Sequence, residues 1–192
     1  MKRKAIFLDR DGVLNEVIFR DGRPGSPRDL NEFRIMPAAE EALLALRRAG
    51  YLLIVVTNQP EVSRRLQDRP AVESMHDRLM KSLPLDDVRV CYHDDDHACE
   101  CRKPAPGLLL SAARDWGISL IDSFLIGDRG KDMEAGRRVH CKTVLLACPY
   151  NENEATTADY RAGSLLDATR WILATSKDSA AMPVNVPLLP AY

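Results

Sequence analysis

The chain lacks most of what would mark a membrane protein, a nucleic-acid binder or a disulfide-built scaffold. Its 27 Lys and Arg nearly balance its 28 Asp and Glu, leaving a formal charge of −1. That balance argues against bulk nucleic-acid binding, which needs a basic surface. There is also no stripe of aromatic and basic residues for single strands to stack on. No apolar run approaches the roughly 18 residues that span a bilayer. Lys2-Arg3-Lys4 is basic, but the apolar run behind it, Ala5-Ile6-Phe7-Leu8, is too short for a signal peptide. Internal repeats are absent. Five cysteines are too few and too clustered for a disulfide framework. The expectation is a cytoplasmic protein without nucleic-acid or membrane partners, a monomer or weak homo-oligomer.

What is present is 192 residues, 45% hydrophobic and 29% charged, enough for one domain with a sizeable core. Apolar runs of strand length recur at Ala5–Leu8, Leu52–Val56, Val88–Tyr92, Phe124–Ile126 and Thr143–Leu146. They are rich in β-branched residues and show little polar alternation, which suits buried parallel strands. Helical spacing separates them, over Ala38–Ala49, Val72–Leu83, Pro106–Trp116, Asp132–Arg138 and Ser164–Thr175. This alternation predicts a doubly wound α/β fold, a Rossmann-like parallel sheet with no large cap domain. Arg20–Asn31, with two glycines and two prolines, reads as a loop. One domain is expected over 1–175, followed by a proline-containing tail over 176–192.

Open α/β sheets bind ligands at the carboxyl ends of their strands. The first strand is followed by Asp9-Arg10-Asp11-Gly12. One Asp there is an ordinary cap, but two so close repel unless a cation lies between them. Mg²⁺ would resolve the conflict, leaving one carboxylate to attack phosphorus and the other to manage a proton. Thr57-Asn58-Gln59 follows the second strand, where a hydroxyl and amides can donate to phosphate oxygens. Arg102-Lys103 follows the third, two cations suited to phosphoryl charge. Gly127-Asp128-Arg129 follows the fourth, with Asp128 at the position of a further acidic ligand. Asp132 reads as a helix cap at least as readily as a ligand.

Three cysteines need their own account. Cys91-x-His93, five residues, then Cys99-x-Cys101 offers four ligands for a closed tetrahedral Zn²⁺ site within the loop 91–101. His97 is an alternative ligand. A closed site is structural, and it would hold the loop leading into Arg102 and Lys103. Asp94-Asp95-Asp96 reads as a solvated turn. His76 and His140 read as packing or surface residues, and Cys141 and Cys148 as small buried hydrophobes.

In order, Asp-x-Asp, Thr-Asn, Lys and Gly-Asp at successive strand ends resemble the haloacid dehalogenase (HAD) superfamily of phosphatases, over about residues 4 to 148. The resemblance implies an aspartyl-phosphate mechanism. Asp9 would be the nucleophile and Asp11 the general acid, then base. Thr57 and Lys103 would hold the transferring group. Asp9, Asp11 (through its carbonyl) and Asp128 would hold Mg²⁺. The Cys-x-His…Cys-x-Cys-Arg-Lys-Pro run resembles the zinc-containing branch, which includes D-glycero-D-manno-heptose 1,7-bisphosphate phosphatases and the histidinol-phosphatase domain. Lys103-Pro104-Ala105-Pro106-Gly107, Asp132-Met133-Glu134-Ala135-Gly136 and the lack of a second catalytic domain favour the heptose group. Asn58, Arg102 and Arg129 would then contact a sugar phosphate.

One departure stands out. Heptose phosphatases usually follow Thr-Asn-Gln with Ser-Gly, and here Pro60-Glu61 stands instead. Glu61 either points to solvent or sets an anion beside a dianionic substrate. The competing expectations are a histidinol or other small-metabolite phosphatase, a nucleic-acid end phosphatase, which the neutral charge disfavours, and a zinc-stapled binding module with a decayed site.

Overall fold

The computed structural model of the chain describes residues 2–96, 99–151 and 156–180. Strand β1, Ala5–Leu8, is buried along its whole length. With no polar position to turn outward, it needs a sheet covered on both faces. It pairs in parallel with β4 (Leu52–Asn58) on one side and β6 (Phe124–Gly127) on the other. β5 (Asp87–Cys91) lies outside β4, while β7 (Lys142–Leu146) and β8 (Tyr160–Ala162) lie outside β6. The order is β5-β4-β1-β6-β7-β8, all parallel. The direction of winding reverses between β1 and β6, the place where such sheets open a crevice for ligands.

Alternate side chains of β1 enter opposite layers, as the two-residue period of a strand requires. Ile6 and Leu8 pack with helices α1 (Ala39–Arg48), α2 (Arg69–Ser82) and α5 (Leu165–Ala180) through Leu43, Met75 and Ile172. Ala5 and Phe7 pack with α3 (Gly107–Trp116) and α4 (Gly130–Arg138) through Leu109 and Ala135. The doubly wound sheet read from the sequence is the fold observed.

Three local readings are corrected. The segment read as a loop from Arg20 contains an antiparallel hairpin, β2 (Ile18–Arg20) with β3 (Arg23–Gly25). Its turn is Asp21-Gly22, both left-handed at φ 51° and 72°, the Asp-Gly pairing that tight hairpins favour. Pro24 argues against a central strand but is tolerated in this two-stranded ribbon. β8 is a three-residue edge strand, too short to announce itself. Helix α5 runs on through Ala180 rather than stopping at Thr175, because no breaker precedes Pro183. The rest of the expected tail, and His97, lie outside the described residues. No helix among the described residues is long and apolar enough to cross a membrane.

Candidate active site and metal centres

Asp9 stands one residue past β1 and is 6% exposed. Asp128 stands one residue past β6, and Asp132 lies in the first turn of α4. A carboxylate oxygen from each lies within 4.8 Å of the others. One cation touches this trio directly from the loop after β5: Lys103 Nζ is 2.9 Å from Asp9 and 2.6 Å from Asp132. Burial works against the Lys103 charge, but Asp132 and Asp9 outweigh it and hold the ammonium above its ordinary pKa. Burial raises Asp9, opposed by Lys103 and aided by Asp132. Burial, then the Asp9 and Asp132 charges, push Asp128 up to about 7.

Asp132 caps its helix and also sits beside the other two acids. It accepts the backbone N–H of Arg129 at 3.1 Å, capping α4, and it belongs to the acidic trio. Asp128 divides its two oxygens. Oδ2 takes the Tyr150 hydroxyl at 2.6 Å and lies 3.3 Å from Arg129 Nε. Oδ1 is buried with no hydrogen-bond donor. Crowded hard oxygens, one of them without a donor, and a carboxylate pushed toward neutrality would be relieved by a divalent cation among them. The donor set fits Mg²⁺.

Asp11 does not offer its carboxylate to the trio. Arg10, fully buried, grips it through Nε and Nη2 at 2.8–3.1 Å. Asn15, Ser26 and Gln59 each donate to it at 2.9 Å. Burial works against the charge, but Arg10 and the Asn15 hydrogen bond overcome it and hold Asp11 below the ordinary range. Arg10 also donates to His76 Nε2 at 3.2 Å. Burial and then Arg10 push His76 down to about 3, so it is a neutral acceptor in the packing, as the sequence implied.

The Thr57 hydroxyl accepts from Gln59 at 2.9 Å and keeps its own proton to donate. Asn58 clamps the Lys103 backbone reciprocally, its amide donating to the Lys103 carbonyl at 3.0 Å and its oxygen accepting the Lys103 N–H at 3.1 Å. Above the trio opens a cavity of about 400 Å³, bordered by Asp9, Asp11, Asn58, Arg102, Asp128 and Arg129. Hairpin residues Pro24 to Ser26 form one wall, and Glu61, Arg64 and Asp95 another.

The second cluster lies past β5. Cys91, His93, Cys99 and Cys101 bring their ligand atoms within 4.8 Å of one another. Their sulfurs are 3.0–3.8 Å apart, and His93 Nδ1 is 3.2 Å from Cys101 and 3.5 Å from Cys91. A tetrahedral zinc with Zn–S near 2.3 Å needs sulfurs roughly 3.8 Å apart. The two distances from Cys99, 3.8 and 3.6 Å, match this. Cys91 and Cys101, at 3.0 Å, would spread to take the ion, so the donor set suits Zn²⁺. Asp94 and Asp95 are not merely solvated. Arg64 pairs with both, and Arg102 reaches Asp95 at 2.6 Å and the His93 carbonyl at 3.2 Å. The Asp94 hydrogen bond from Arg64 holds that carboxyl down at about 2.

The residues missed in the sequence are Ser26, Tyr150 and Asn151. Tyr150 and Asn151 follow β7 just as the expected site residues follow their own strands, so the strand-end rule, applied once more, points to them.

A HAD-hydrolase-like family model matches residues 100–168. The D-glycero-beta-D-manno-heptose-1,7-bisphosphate 7-phosphatase of Pasteurella multocida (strain Pm70) is 33% identical over 184 residues, covering 88% of this chain and 97% of that protein. That of Helicobacter pylori (strain J99) is 38% identical over 149 residues, covering 74% and 82%. Among solved structures, the D,D-heptose 1,7-bisphosphate phosphatase of B. bronchiseptica, complexed with magnesium and phosphate, superposes with a TM-score of 0.78. It is 25% identical, over 90% of this chain and 99% of that one.

Proposed function

Since the chain belongs to the D-glycero-beta-D-manno-heptose-1,7-bisphosphate 7-phosphatase family, we propose that it removes the 7-phosphate of that sugar bisphosphate through an aspartyl-phosphate. It is a phosphoric monoester hydrolase. The observation that carries the finer reading is Asp9 at the floor of the open cavity, 2.9 Å from a buried ammonium and beside the unpartnered Asp128 Oδ1.

Asp9, Asp128 and the Asp11 carbonyl would hold Mg²⁺, with Asp132 close by. When bound, the ion supplies positive charge for the phosphoryl oxygens. The chain's own residues do the rest. Asp9 attacks phosphorus, and the sugar hydroxylate departs with a proton from Asp11. Asp11 is ionised in the free protein, so the field of an incoming dianionic phosphate must raise it first. It then takes a proton from the water that hydrolyses the acyl phosphate, a role open to it once it is ionised again. Lys103 and the Thr57 hydroxyl meet the equatorial oxygens, while Asn58, Arg102 and Arg129 meet the substrate. Cys91, His93, Cys99 and Cys101 would hold a structural Zn²⁺ that orders the loop carrying Arg102 and Lys103. Thiols kept as zinc ligands suit a reducing, cytoplasmic compartment.

The test compares kcat/KM for heptose 1,7-bisphosphate and histidinol phosphate side by side, with Mg²⁺, in the parent chain and in Asp9→Asn. Preference for the heptose, lost in a folded Asp9→Asn, is expected. Full activity in Asp9→Asn removes the nucleophile, and preference for histidinol phosphate removes the substrate.

A further inference from the structure

Tyr150 sits in a 3-10 turn, Pro149–Asn151, behind β7. That turn is fastened from below. The buried Asn151 amide donates to the carbonyls of Asp128, at 2.7 Å, and Leu146, at 2.8 Å. The Tyr150 hydroxyl then reaches Asp128 Oδ2 at 2.6 Å, and the Arg129 guanidinium lies over its ring, 4.6 Å from the centroid. A carboxylate oxygen can only accept here, so the hydroxyl is the donor. Gly12 shows how closely this is fitted. It adopts φ +81°, and a Cβ there would strike both the Tyr150 hydroxyl and the Asp128 carboxylate.

The far edge of Tyr150 meets the hairpin. The Phe19 ring lies 6.0 Å away, tilted by 60°, although Phe19 is otherwise 56% exposed. The same hairpin ends at Ser26, whose hydroxyl donates to Asp11 at 2.9 Å. The ribbon that walls the cavity therefore rests on both sides of the reacting centre, through Ser26 on Asp11 and through Phe19 and Tyr150 on Asp128.

We propose that Tyr150 is a positioning residue for the divalent cation, engaging one oxygen of Asp128 so that Oδ1 faces the ion, and that Phe19 ties this carboxylate to the β2–β3 hairpin. The proposal rests on reading Asp9, Asp128 and the Asp11 carbonyl as a Mg²⁺ site. Mg²⁺ demands near-ideal octahedral geometry, so a carboxylate free to rotate or to bind through both oxygens holds it poorly. A donor behind a ligand removes that freedom, and losing such a donor typically weakens metal binding about 10–100-fold.

The test titrates Mg²⁺ alone by calorimetry into the full chain, freed of Mg²⁺ by gel filtration so that any zinc at the thiol loop is kept, in the parent, Tyr150→Phe and Phe19→Ser. Tyr150→Phe keeps the ring and its packing and loses only the hydroxyl. It should weaken Mg²⁺ binding about tenfold or more, leave the metal-free Tm unchanged, and recover its kcat at saturating Mg²⁺. Phe19→Ser should leave Mg²⁺ binding within about twofold and raise KM for the sugar phosphate, because it frees a cavity wall without touching the hydroxyl. Equal Mg²⁺ affinity in parent and Tyr150→Phe overturns the positioning role. An unchanged KM in Phe19→Ser overturns the tie to the hairpin. A parent that binds no Mg²⁺ overturns the site reading itself, a result distinct from either.

Discussion

The carboxylate centre and the thiol–imidazole centre are built in opposite ways. The first gathers Asp9, Lys103, Asp128 and Asp132 from two strand ends, a loop and a helix start, all nearly inaccessible to solvent. The second comes from the last residue of β5 and the loop that follows, with Cys91 buried, Cys99 and Cys101 half-buried and His93 exposed. The sheet holds the first in place whatever its charge, so the acids stay crowded. Little besides β5 holds the second, so a metal would create its order. Removing the cation from the first should cost chemistry with the fold intact, and removing it from the second should cost local order.

The largest effect should follow Lys103→Met. The change leaves three buried carboxylates facing one another with their nearest cation gone. Phosphate release should fall at least about 10³-fold, and breaking a buried pair should cost about 3–5 kcal/mol in the metal-free chain. Excess Mg²⁺ should restore part of that stability and none of the activity, a split visible in urea melts set beside phosphate-release assays. Cys101→Ser should lose about one zinc per chain by metal analysis. Activity should fall less, about 10-fold, because the acids stay on their strand ends while the Arg102–Lys103 loop loosens. A Cys101→Ser loss as deep as that of Lys103→Met would erase the distinction between the centres.

The sequence made the two centres unequally legible. The thiol loop is contiguous, so its spacing picks out three cysteines and favours His93 over His97 as the fourth candidate donor. The acidic residues are scattered, but each follows an apolar strand, and a parallel sheet aligns those ends. That is why Asp9, Asp128 and Lys103 could be placed before any coordinates. The Asp-x-Asp spacing brings Asp11 close to Asp9, yet the direction of its carboxylate depends on the Arg10 rotamer, which no spacing encodes. The hairpin was missed because Gly and Pro punctuation outweighed the Asp21-Gly22 turn signal. Tyr150 escaped because its role arises only when the turn after β7 folds over Asp128.

The two centres should also answer pH with opposite signs. Asp128 is raised to about 7 from an ordinary 3.8. Its folded state therefore binds the proton more tightly than the unfolded chain, a contribution full below pH 3.8 and lost as pH rises through about 7. Asp9 is raised in the same direction. The Mg²⁺-free chain should lose Tm between about pH 4 and 7, at about 2–4 °C per kcal/mol, and Mg²⁺ should flatten the slope. Zinc binding instead needs deprotonated thiols and is lost as pH falls. Calorimetry against pH, with EDTA, Mg²⁺ or zinc, reads both slopes. A flat metal-free profile would mean the acidic trio is already neutralised by the protein.

The smallest expected effect tests whether the centres communicate. Glu61 does not simply point to solvent. It borders the cavity, its Oε2 is buried without a partner, and Oε1 lies 4.0 Å from Arg64. Arg64 is in turn drawn away by Asp94 and Asp95, which belong to the thiol loop. The cavity wall therefore carries arginine charge already answered by carboxylates from both sides. Glu61→Gly removes one anion and leaves Arg64 freer for a second phosphate. A partly exposed pair is worth at most about 1 kcal/mol. The kcat/KM ratio of sugar bisphosphate to monophosphate should accordingly rise about threefold to fivefold. Arg64 and Arg102 meet on Asp95, so the gain depends on where the thiol loop holds that residue. In zinc-stripped protein the loop should loosen, both arginines should lose their fixed partners, and Glu61→Gly should shift the ratio less. An equal shift with and without zinc would show that the two centres share a cavity wall but act independently.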